Sequence, residues 1–61
     1  MANHTHWDYR TLRVKPGLLG SFDTEVIDEI LRREGNAGWE LVSAVQTGAL
    51  QPILLFLKRA R

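Results

Sequence analysis

The sequence contains no cysteine. That absence excludes disulfides, thiolate metal sites and cysteine nucleophiles together, and with them a staple that very small domains often use. Long apolar runs are missing as well. No stretch approaches the roughly 18 residues that a membrane span needs, and the opening Met-Ala-Asn-His-Thr-His has no signal-peptide core. A cytoplasmic protein with no membrane partner is the expectation. Charge of one sign is also lacking. Eight Lys and Arg against seven Asp and Glu leave a formal charge of +1, which argues against a nucleic acid held by bulk electrostatics. With 61 residues, the chain is one domain whose stability is expected to be a few kcal/mol. Partners are the remaining way to supplement it.

What is present reads as β-α-β-β. Residues 1–6 are expected to be a flexible polar N-terminus, and 7–59 a single domain. Strands are expected over about 7–14, 39–46 and 53–59, and a helix over about 24–34. In the first strand Trp7, Tyr9 and Thr11 alternate with Asp8, Arg10 and Leu12. Pro16-Gly17 ends it. Asp23 is placed to cap the helix, with Phe22 and Ile27 at the two positions of a hydrophobic staple. Val26, Ile27, Ile30 and Leu31 form an apolar stripe at helical spacing, and Gly35 is the expected left-handed cap.

The second and third strands, joined by a short loop, form an antiparallel hairpin. A right-handed crossover makes the first and second parallel. Because Ile53-Leu54-Leu55-Phe56-Leu57 is the most apolar run, it belongs in the centre, giving order 1-3-2, with 1-2-3 as the alternative. The class is therefore α+β: a mainly antiparallel three-stranded sheet with one helix on one face. That helix leaves the other face with either Ile53, Leu55 and Leu57 or Leu54 and Phe56. The footprint is roughly 300 Å², from strand spacing and rise. A second copy is expected to cover this face or pair with the poorly protected second strand, making a homodimer or higher even oligomer.

The run "FDTEVIDEILRREGNAGWELVSAV", preceded by "WDYRTLRV" and followed by "ILLFLKR", resembles the bacterial family called domain of unknown function 4177. The similarity runs from about Trp7 to Arg59, and Gly35 to Ser43 is its specific part. The resemblance implies a small β-α-β-β domain with no established activity, and it carries no catalytic residues.

The residues themselves supply few chemical candidates. His4 and His6, beside Asn3 and Asp8, fall short of zinc-motif spacing, so no metal is expected. Gly17-Leu18-Leu19-Gly20-Ser21 lacks the lysine of a phosphate loop, and Asp23 and Glu25 already occupy the positive helix end. Ser21 and Ser43 have no histidine held nearby in any arrangement that the sequence supports. Neither a cofactor nor catalysis is expected. Trp7, Tyr9, Arg10, Trp39, Glu40, Leu55 and Phe56 are the candidate interface or ligand residues, and Lys58, Arg59 and Arg61 the candidate polyanion contacts. The functional expectation is a homo-oligomeric interaction or accessory domain that is not an enzyme and binds itself or an unknown protein partner. The alternatives are an oligomer holding a small molecule or nucleotide between subunits, lined by Trp7, Tyr9, Trp39 and arginines, and a weak nucleic-acid binder using the basic tail.

Overall fold

The most apolar segment becomes the centre of the sheet. In the computed structural model, which describes residues 6–17 and 21–61, β3 (Ile53–Ala60) lies between β1 (Trp7–Val14) and β2 (Glu40–Gln46). Helix α1 spans Thr24–Asn36. The order is β1-β3-β2, and both outer strands run antiparallel to β3. The β1–β3 ladder is unbroken from Trp7 opposite Ala60 to Val14 opposite Ile53. One more bond, from the Arg61 N–H to the His6 carbonyl at 2.9 Å, extends it. The β2–β3 ladder has a bulge between Leu41 and Ser43.

Residues directly opposite in a ladder share a face, so the register sorts the side chains. Leu12 and Val14 of β1 lie with Ile53, Leu55 and Leu57 of β3, and this is the face that α1 covers. Val14, Leu55 and Leu57 are buried there, with Leu12, Phe22, Ile27, Ile30, Leu31, Trp39 and Ile53 packed around them. Trp7, Tyr9, Thr11 and Arg13 share the opposite face with Leu54, Phe56 and Lys58. On β2 the bulge changes the parity. Leu41 and Ala44 lie toward the helix side, and Ser43 and Val45 lie on the other. Simple alternation puts Leu41 with Val45. The inserted residue at the bulge separates them.

The helix begins as its residues dictate. Asp23 is extended, and its carboxylate accepts the Glu25 N–H at 2.9 Å. Phe22 and Ile27 pack against the same core, as a staple requires. The end differs from expectation. The helix continues through Gly35 to Asn36, and the left-handed residue is Gly38, at φ 92°. The Trp39 N–H reaches the Glu34 carbonyl and the Gly38 N–H reaches the Gly35 carbonyl, both at 2.9 Å. Those two bonds define a Schellman closure with Gly38 at the position that needs positive φ. The stripe shifts accordingly. Val26 is exposed, whereas Ile27, Ile30 and Leu31 face inward and Glu34, one turn on, is buried with them.

Candidate functional site

Two surfaces distinguish this small domain, and they lie on opposite sides of the sheet. The first is the face that α1 leaves open. Trp7, Tyr9, Phe56 and Val45 are all exposed on it, and Tyr9 is 71% accessible. Val42, at the bulge, is exposed as well. The ammonium of Lys58 lies 4.2 Å from the centre of the Trp7 ring, a cation–π contact that shields part of that indole. Glu40 stands opposite Lys58 in the ladder. Arg13 is at the diagonally distant corner, opposite Leu54. A shallow groove bounded by Arg13, Thr47, Gln51, Pro52 and Leu54 continues the face toward the β2–β3 loop.

The second surface is a polar cluster beside the helix C-terminus, on the covered side. Arg10 donates to the Glu34 carboxylate at 2.6 Å, and Arg33 lies 3.6 Å from the other oxygen. Glu34 is only 7% exposed, and those arginines supply the partners that a buried carboxylate needs. Both Arg10 and Arg59 place their guanidinium carbons over the Trp39 ring, at 4.7 and 4.4 Å. Arg59 also donates to the Ala37 carbonyl at 3.2 Å. Arg61 pairs with Asp8 at 2.7 Å. The Schellman turn makes this possible. It sends Trp39 inward, and a Cβ on Gly38 would stand 3.2 Å from the Arg59 Cδ.

The candidate residues therefore divide. Trp7, Tyr9, Glu40 and Phe56 belong to the open face. Arg10 and Trp39 belong to the cluster on the helix side, so a single cleft within one subunit lined by Trp7, Tyr9 and Trp39 does not form. Leu55 is no surface residue at all. Odd positions of β3 point under α1, and it is 3% exposed. The basic tail divides in the same way. Lys58 rests on Trp7, while Arg59 and Arg61 are held by Trp39, Ala37 and Asp8.

Asn3, His4 and the loop leucines Leu18 and Leu19 lie outside the described residues. Among the described residues no group of three or more His, Cys, Asp or Glu is placed to hold a metal. Glu34 was not singled out from the sequence. The signal was present, because Ile27, Ile30, Leu31 and Glu34 continue one helical stripe at i, i+3, i+4 and i+7. A carboxylate on that stripe needs a cation opposite, and Arg10 of β1 supplies it.

Comparison with protein families matches residues 7–60 of the chain to one described as Domain of unknown function (DUF4177). The chain belongs to that family. Neither the curated proteins nor the solved structures searched contain a match to the chain. Membership in DUF4177 spans the whole sheet and helix, including both surfaces, and names no activity for either. Among the described residues no helix is long and apolar enough to cross a membrane.

Proposed function

We propose that this DUF4177 domain is a homo-oligomeric interaction or accessory module without catalytic activity, and that a second copy covers its open face. The observation carrying this is the composition of that face: three aromatic residues, Leu54 and Val45 on one side of a three-stranded sheet, with no element of the described chain over them. Burying even half of such a surface is worth several kcal/mol at about 25 cal/mol per Å². For a domain this small, that is comparable with the entire folding stability.

Charge favours a second copy over a partner of one sign. Glu40 and Arg13 lie at diagonally opposite corners of the face, so one two-fold arrangement brings each near its opposite on the other subunit. Lys58, already balanced across the ladder by Glu40, adds no strong excess. Two of the carboxylates, Asp8 and Glu34, are tied to arginines. A cytoplasmic setting in a bacterial cell is part of the same proposal.

The test is the mass of the protein in solution at micromolar concentration, compared with that of Tyr9→Glu. This substitution places a charge at the most exposed point of the face and touches no core residue. An even oligomer that Tyr9→Glu weakens by about tenfold or more, a change of about 1.4 kcal/mol, supports the proposal. A wild-type chain that stays monomeric across the concentration range refutes it.

A further inference from the structure

The geometry points to a second contact between copies, along the outer edge of β2, which joins two sheets into one of six strands. This inference rests on the domain being self-associating, but it concerns a different surface. The two edges of the sheet are unlike. The β1 edge carries Asp8, Arg10 and Arg13, is followed by Lys15 and Pro16, and has its charges fastened by the Arg10–Glu34 and Arg61–Asp8 pairs. Such features blunt a strand edge. In β2 every residue is exposed. After the bulge it reads Ser43-Ala44-Val45-Gln46, with no charge and no proline. Its only charge, Glu40, lies on the far side of the bulge.

Symmetry then restricts the pairing. Two antiparallel β2 strands in one sheet are related by a two-fold axis perpendicular to it, which keeps the open faces on the same side. Opposed residues must share a face, and a slip of one residue would reverse them. The axis must therefore pass through a residue pair and not between two. An axis at Val45 pairs Ala44 with Gln46 and sets Ser43 opposite Thr47, past the end of β2. At Ala44 it keeps Ser43 opposite Val45 of the second copy, both on the open face, and sets the two Ala44 side chains against each other on the helix side. No like charges meet.

Area gives the independent reason for this occupant. One open face is roughly 300 Å², whereas a stable interface takes about 800 Å² from each partner. Two subunits joined at β2 present one combined face of roughly 600 Å² with aromatic and aliphatic side chains on both halves, close to what face-to-face packing of two such pairs needs. Edge pairing and face packing would thus support each other in a four-chain assembly.

The absence of cysteine provides a clean experiment. Opposed strand residues lie about 4.5–5.5 Å apart, within the range that a disulfide bridges. Ala44→Cys, shown by circular dichroism to be folded, should form a disulfide-linked dimer on air oxidation. Thr24→Cys, exposed at the start of α1, is the control and should not. Ala44 is on the helix side, so face-to-face contact alone cannot produce the link. The same link formed in a Tyr9→Glu, Ala44→Cys double variant would show that the edge pairs without the face. Cross-linking of Ala44→Cys no greater than that of the control overturns the edge pairing about Ala44. If the wild-type protein nevertheless self-associates, the covered face stands and only the edge falls.

Discussion

Leu57 and Phe56 are neighbours in β3, both large and apolar, and they have opposite surroundings. Leu57 is 1% exposed beneath α1, and Phe56 is 37% exposed on the open face. The same contrast extends to β1, with Leu12 and Val14 on one side and Trp7 and Tyr9 on the other, whereas every residue of β2 is exposed. One face uses its apolar area for folding within the chain. The other holds comparable chemistry in reserve, available only to something outside it. One set of alternate residues in β3 therefore holds the fold together, and the other set is left for the proposed association.

Substitution on the two faces should separate these roles. Leu57→Ala removes the most buried side chain and should cost about 2–5 kcal/mol, enough to unfold most of the protein at room temperature. Phe56→Ser should cost the dissociated chain less, about 1–2 kcal/mol in urea unfolding, because part of the lost area is already in water. Its main effect should appear in the assembly mass. If Phe56→Ser unfolds the monomer as Leu57→Ala does, the two faces are not functionally distinct.

The polar cluster offers a sharper version on the covered side. Arg10→Ala removes the 2.6 Å partner of a buried carboxylate and leaves Glu34 with Arg33 at 3.6 Å. The expected loss is about 1–3 kcal/mol, the range for an under-satisfied buried group. Arg10→Lys keeps the charge but not the planar fork that both pairs with Glu34 and lies over Trp39. It should fall between wild type and Arg10→Ala in urea denaturation. Equal stability of all three would show that the cluster contributes nothing to the fold.

Much of this architecture was legible from residue pattern. The central place of Ile53–Leu57, the 1-3-2 order, the Asp23 cap and the existence of an uncovered face follow from apolar content, charge and spacing. Which face the helix covers did not follow. Leu54 and Phe56 are as apolar as Leu55 and Leu57, so no parity argument on β3 alone distinguishes them. The partition of β2 was hidden because a single inserted residue at the bulge reverses the alternation after Leu41. Glu34 was hidden because a carboxylate on a helix is ordinarily solvated, and only Arg10 from a distant strand makes its burial tolerable.

The two glycines at the end of α1 give the smallest and most discriminating test. Either, read locally, can stop a helix. Gly35 lies within α1, is exposed, and has no atom within 4 Å of where a Cβ would stand. Gly35→Ala should therefore stabilise the domain by about 0.5–1 kcal/mol, through lower chain entropy and better helix propensity. Gly38 has φ 92°, and a methyl group added there would meet the Arg59 side chain at 3.2 Å. The contact itself is with a flexible side chain that has room to give, so the backbone decides the sign. Gly38→Ala should lose about 1–2 kcal/mol, the cost of left-handed backbone for a residue with a Cβ. It should also disturb Trp39, whose N–H closes the turn on Glu34, and a change in tryptophan fluorescence should accompany the loss. Opposite shifts in the unfolding midpoint would place the helix stop at Gly38 and link it to the seating of Trp39 between the helix and β3. Shifts of the same sign would mean that the turn is set elsewhere, and the tie between the glycine and the arginine–tryptophan cluster would be lost.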